Sequence, residues 1–132
     1  MKTLVTSLLI LLVLISCNST IKTVSVNNNT EGVVRIANDS LEYEIIIIDV
    51  GFESYLHTIA KPASFYSQSY YEIKNRFYVI EWNIRAHNPL RYNSSIYENV
   101  IDYDPNTDYG LDVNYKLYNY FEFVKHKYKE RF

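Results

Sequence analysis

The sequence predicts an α+β fold: a small sheet of two or three strands packed against about three helices, in one compact domain behind a signal peptide and a short tether. Three observations predict it. Ile45-Ile46-Ile47-Ile48 is an unbroken β-branched run with turn residues on either side, the pattern of a strand. Beyond Gly51, apolar residues recur at steps of three and four in separate stretches, as amphipathic helices require. The first sixteen residues share neither pattern and read as an address rather than as part of the fold.

That address has three parts. Lys2 is a short positive region, Leu8 to Ile15 is continuously apolar, and Ser16 is the small residue a peptidase needs beside its cut. The apolar run falls short of the roughly 20 residues that span a bilayer, and Asn18, Ser19 and Thr20 follow at once. Leu14-Ile15-Ser16-Cys17 resembles the lipobox of bacterial lipoproteins. The resemblance implies cleavage before Cys17, a diacylglyceryl thioether on its sulfur and a fatty acyl group such as palmitate on its amine. At about 0.8 kcal/mol per buried methylene, more than one chain anchors stably. The expected partner of Cys17 is therefore the lipid bilayer. Asn18 is not the aspartate that retains similar lipoproteins in the inner membrane, and no acidic residue precedes Glu31. The expected location is the outer membrane, with the domain facing the periplasm.

Loss of residues 1–16 leaves 116 of the 132, enough for one domain with a core. The formal charge, −2 for the whole chain, becomes −3 without Lys2, which excludes a general attraction to nucleic acid. The one cysteine is committed to lipid, so no thiol serves disulfides, catalysis or metal. Stability must come from packing, and the material is 14 Tyr and 6 Phe against three Gly and three Pro.

Residues 17–31, with Asn27-Asn28-Asn29, lack apolar periodicity and read as a flexible tether. Such a coil holds the domain, residues 32–132, on the order of 20 Å from its anchor. Val33 to Ile36 is β-prone, and Asn38-Asp39-Ser40 is turn chemistry leading into a strand over Leu41 to Asp49. The continuity of that strand predicts burial on both faces at the centre of the sheet. Asp39-Ser40-Leu41 also resembles an O-glycosylation site of some envelope bacteria, although the same residues make a plain turn.

Phe52, Tyr55, Leu56 and Ile59 predict a short helix that ends at Lys61-Pro62. A long helix follows, with Ser69 and Glu72 spaced as a capping box and Tyr66, Tyr70, Ile73, Phe77, Ile80, Ile84 and His87 on its apolar stripe. A strand over Arg76 to Ile84 is the rival, with Tyr78, Ile80, Trp82 and Ile84 on one face; the longer periodicity favours the helix. Tyr97 to Tyr103 is a candidate further strand before the turn at Asp104-Pro105-Asn106. The last helix carries Val113, Leu117, Phe121, Val124 and Tyr128 inward, and its basic end, Lys125 to Arg131, suits the helix dipole.

From Leu41 onward the chain resembles an uncharacterised family of small bacterial lipoproteins, a domain of unknown function. The resemblance rests on Ile48-Asp49-Val50-Gly51-Phe52-Glu53, Phe65-Tyr66-Ser67-Gln68-Ser69-Tyr70, Glu81-Trp82-Asn83, and Asp108-Tyr109-Gly110 followed by Asn114-Tyr115-Lys116-Leu117-Tyr118-Asn119-Tyr120-Phe121. It implies one lipoprotein domain and no activity.

Chemistry must then be sought in the residues. Asp104, Asn106, Asp108 and Asp112 have the oxygen spacing of a calcium loop, but Tyr109 stands where such a loop needs glycine and Tyr115 where it needs a bidentate carboxylate. A proline turn with acidic capping of the last helix uses the same residues. Glu53 with His57, and Glu122 with His126, supply two metal ligands each, too few for a site, and His87 has no neighbour. Glu81 and Asp49 are a candidate carboxylate pair for glycan cleavage. No nucleophile elbow or glycine-rich phosphate loop occurs, and no cofactor is implied. Tyr71, Tyr78, Tyr115, Tyr118 and Tyr120 fall partly off the helical stripes, as rings on a recognition surface do. The expectation leans away from an enzyme, towards a noncatalytic lipid-anchored module that offers a tyrosine-rich face to an envelope protein or glycan. The alternatives are an envelope hydrolase working through carboxylates and a calcium-stabilised structural module.

Overall fold

A hairpin opens the computed structural model, which describes residues 33–132. The expected signal peptide at 1–16, the expected lipid attachment at Cys17 and the expected tether at 17–31 lie outside the described residues. β1 (Val33–Asn38) runs antiparallel to β2 (Tyr43–Ile48), with Val33 opposite Ile48 and Asn38 opposite Tyr43. Turn chemistry closes it as expected: the Asn38 side chain accepts from the Ser40 amide at 3.1 Å, and a 3-10 turn occupies Asp39–Leu41.

Among the described residues the sheet has two strands, and their burial corrects the expectation for Ile45 to Ile48. Ile47 is 4% exposed, whereas Ile46 and Ile48 are 57% and 78% exposed. Burial alternates because only one face of the hairpin meets the helices; the β-branched run reflects strand preference, not a central position.

α1 (Phe52–Thr58) follows Gly51, whose φ of 101° lets the chain turn from strand to helix within three residues. α2 spans Gln68–Ala86, so the rival strand over Arg76 to Ile84 does not form. Its cap is Ser67, which accepts from the Tyr70 amide at 3.2 Å, and not the Ser69–Glu72 box. Glu72 instead accepts from the Gln68 amide group.

The face of α2 is the second correction. Ile73, Phe77, Ile80 and Ile84, expected inward, are 49–64% exposed. The buried residues are Tyr71, Asn75, Val79, Trp82 and Arg85. Two apolar stripes compete on this helix, and the one carrying Trp82 and Tyr71 faces inward with its polar donors partnered, although Asn75 Oδ1 has no partner among the described residues. Asn75 donates to the Asn114 carbonyl and side chain at 2.9 and 3.2 Å. Arg85 meets Tyr97 and Glu130.

α3 (Gly110–Tyr128) is the centre of the domain, packed against α1, α2 and β1. Val113, Leu117, Phe121 and Val124 are fully buried, as the periodicity predicts. Phe52 of α1 meets Phe123 and Tyr120 with ring centroids 5.4 Å apart. The tail brings Phe132 back onto Phe121 and Tyr78 at 5.6 and 5.7 Å.

No strand forms over Tyr97 to Tyr103. Side chains of α2 take the backbone groups that a strand would use. Trp82 Nε1 donates to the Asn99 carbonyl at 2.8 Å. The Asn83 amide both donates to the Ile101 carbonyl at 2.9 Å and accepts from its N–H at 2.8 Å. One side-chain amide thus imitates a neighbouring peptide group.

Candidate functional site

Among the described residues, β2 has β1 on one side and no strand on the other. Facing that open edge is the segment 95–102, and the two bound a groove of about 630 Å³, within the size range of ligand sites. Trp82, Ile101 and Tyr120 lie at its base. Both ends are clasped. At one end the Tyr43 hydroxyl donates to the Asp102 carbonyl at 2.6 Å. At the other, Asp49 accepts from the Tyr128 hydroxyl at 3.1 Å and from Lys127 Nζ at 2.5 Å. Its carboxylate holds the Lys127 ammonium protonated above the usual lysine range.

The lining is acidic. Glu42, Glu44, Asp49, Glu98 and Asp102 border the groove, and among the described residues no Lys, Arg or His does. Glu44 is paired with Arg35 and Asp49 with Lys127. Among the described residues, Glu42, Glu98 and Asp102 have no cationic partner within ion-pair distance. Tyr120 is half-buried at the base. Burial, reinforced by Asp49, pushes its hydroxyl far above the ordinary tyrosine value.

A family model described as a family of unknown function (DUF6146) matches residues 5–132. The chain belongs to this family. No curated protein and no solved structure matches it. Membership agrees with the resemblance drawn from Leu41 onward, and leaves activity to be argued from the site.

Of the sequence candidates, Asp49 reaches the groove and Glu81 does not. Glu81 pairs with Arg85 at 2.8 Å and is not part of the lining. Asp49, already shared by Tyr128 and Lys127, is a structural anion. The acidic loop is likewise occupied by its own donors. Asp104 accepts from the Asn106 amide at 2.9 Å, which lowers its pKa, and from the Asn106 side chain at 3.0 Å. Asp108 accepts from the Gly110 amide at 3.0 Å and from Gln68 at 2.6 Å. Asp112 pairs with Lys116 at 2.7 Å. Among the described residues no three His, Cys, Asp or Glu side chains converge as a metal site requires.

Glu122 accepts from Tyr78 and Lys125 rather than facing a metal with His126, whose ring lies against Tyr55. Glu53 and His57 are both exposed on α1. His87 Nδ1 lies 2.6 Å from the Asn83 carbonyl at the end of α2.

The tyrosines expected on a surface mostly pack on one another where α2 meets α3. Tyr71 is 1% exposed. Its ring lies 5.2 Å from Tyr118 and 5.8 Å from Tyr115, and Tyr78 stacks on Tyr118 at 6.2 Å. A hollow of about 160 Å³ beside this seam is lined by Tyr55, Tyr66, Tyr71 and Tyr118. Of the five, only Tyr120 reaches the groove. Sequence reasoning missed Tyr43 and Glu98. The one sequence signal of Glu98 is the acidic, aromatic stretch around Tyr97 to Asp104, which resembles an ordinary surface loop until β2 is placed across from it.

Proposed function

We propose that this protein is a lipoprotein of the bacterial envelope, anchored in the outer membrane through lipid on Cys17. It faces the periplasm and serves as a noncatalytic binding module whose binding surface is the groove along β2. The observation that carries this reading is an open groove bordered by three carboxylates that have no counter-ion among the described residues. Exposed carboxylates of one sign gathered along a groove favour a ligand of complementary charge. The engaged state of Asp49 and Glu81 favours binding over bond cleavage, which needs carboxyl groups free to move protons.

The test is photo-crosslinking in living cells. A photoreactive residue in place of Val100, exposed on the groove wall, should give one recurrent envelope adduct. The same residue in place of Phe77 on the outer face of α2 should not give that adduct. Equal patterns from both positions would overturn the assignment of the surface. Cys17→Ala should abolish fatty acid labelling and release the protein from membranes; a form still labelled and still membrane-bound would overturn the anchor.

A further inference from the structure

We infer that the groove takes an extended, basic peptide segment, which joins β2 as a third strand. The inference rests on the binding-module reading and specifies its ligand.

The backbone sets the first condition. β2 presents six residues to the groove, with one edge unpaired among the described residues, and backbone donors and acceptors there need partners. An added strand supplies them, the mode in which main-chain bonds give affinity and alternate side chains give selectivity. The opposite wall cannot supply them itself. Trp82 and Asn83 hold the Asn99 carbonyl and both backbone groups of Ile101 towards α2. The Asp102 carbonyl points the other way and accepts from Tyr43 on β2. Backbone groups that alternate direction in this manner are those of an extended chain. The wall therefore turns the groups next to Ile101 towards the groove, and an inserted strand meets hydrogen-bonding partners on both sides. Six residues at about 3.4 Å each give a binding track of roughly 20 Å.

Charge sets the second condition. Among the described residues, Glu42, Glu98 and Asp102 line the track without cations, and the one basic group near it, Lys127, is held by Asp49 at its end. Lysine or arginine at every second position of the ligand would reach these rims. The intervening side chains would rest over Trp82, Ile101 and Tyr120 at the base. An acidic edge also discourages pairing between copies of one protein. That defensive role alone predicts no saturable ligand.

The test uses the full chain in neutral detergent and fluorescein-labelled seven-residue peptides read by anisotropy. An alternating valine and lysine peptide should bind saturably, more weakly as salt rises. Its valine and glutamate counterpart should not bind. The double variant Glu98→Lys/Asp102→Lys should weaken the lysine peptide by roughly tenfold or more, as charge reversal at a docking surface does. Phe77→Glu, away from the groove, should leave it unchanged, and circular dichroism checks that each variant is folded. A lysine peptide N-methylated at alternate amides keeps its charges but loses donors, and should also bind about tenfold or more weaker.

Equal binding of the methylated and unmethylated peptides would overturn strand addition. Binding of the glutamate peptide, or of a chitin tetramer in its place, would overturn the basic peptide as ligand. So would a Val100 adduct to residues 18–31 of the same chain or to a second copy. In those cases a recurrent adduct to another envelope component would leave the binding-module reading standing. If Val100 captures nothing beyond what Phe77 captures, that reading fails as well.

Discussion

Arg85→Ala is expected to destabilise the domain by about 3 kcal/mol, a value that follows from which partners can turn to water. Arg85 is 8% exposed and donates to Glu81 at 2.8 Å, Tyr97 at 2.8 Å, Glu130 at 2.9 Å and the Arg131 carbonyl. Its guanidinium lies 4.9 Å from the centre of the Phe132 ring. A hydrogen bond to a charged group contributes about 1.5–3 kcal/mol, and a cation over a ring about 0.5–2. Glu81 and Glu130, with side chains 36% and 29% exposed, regain water when the arginine goes, so their loss is largely offset. The Tyr97 hydroxyl and the Phe132 ring do not. About 3 kcal/mol is a large part of the roughly 5–15 that holds a domain together. It corresponds to a fall in Tm of about 12–24 °C for a chain of this size. Arg85→Lys keeps the charge without the planar fork and should lose about half as much. The assays are thermal and urea unfolding by circular dichroism, with carboxypeptidase digestion to report release of the tail. A Tm within about 4 °C of the parent, equivalent to no more than about 1 kcal/mol, would refute the claim that the tail is held by this side chain.

Phe77→Glu should leave the urea midpoint within about 0.5 kcal/mol of the parent, because Phe77 is 64% exposed; a core phenylalanine would cost about 3–5. Gly51→Ala should cost about 1–2 kcal/mol in the same assay through its φ of 101° alone. The added Cβ meets Phe123 at an ordinary 3.8 Å, so a much larger loss would refute this account. Burial pushes the Tyr97 and Tyr103 hydroxyls up to about 12, so the folded state binds those protons more tightly than the unfolded chain. Their contribution to stability is full below about pH 10 and is lost between about pH 10 and 12. Tyrosinate absorbance should therefore rise in two phases, the later one with loss of near-ultraviolet dichroism. A single phase near pH 10 with the fold intact would refute it.

The hairpin, α1 and α3 were legible because local and global signals agree there. Asn38-Asp39-Ser40 turns between two β-prone runs. Val113, Leu117, Phe121 and Val124 of α3 point inward at their expected spacing. α2 was legible as a helix but not in its orientation. Asn75 and Arg85 make its inward face look polar, and their partners Asn114, Tyr97 and Glu130 are distant in sequence. The β-branched run of β2 identified a strand but not how many neighbours it has. Tyr97 to Tyr103 read as a strand because its residue types suit one, yet Asn83 and Trp82 claim its backbone. The groove was least legible, since it exists only where β2 meets a loop far along the chain; of its rim, Asp49 stood out beforehand, as a catalytic candidate.

The orientation of the hairpin decides how the domain responds to a mechanical load. Residues ahead of Val33 enter at the end of β1 opposite Ile48, beside the point where β2 leaves for α1. Tension arriving there pulls Val33 away from Ile48 first and then opens one rung at a time, as a zip opens, instead of straining all the rungs in parallel. The first resistance of any size is Ile36, whose side chain is wholly enclosed. A steady pull from upstream would thus peel β1 at low force and uncover the second edge of β2, while the three helices stayed together.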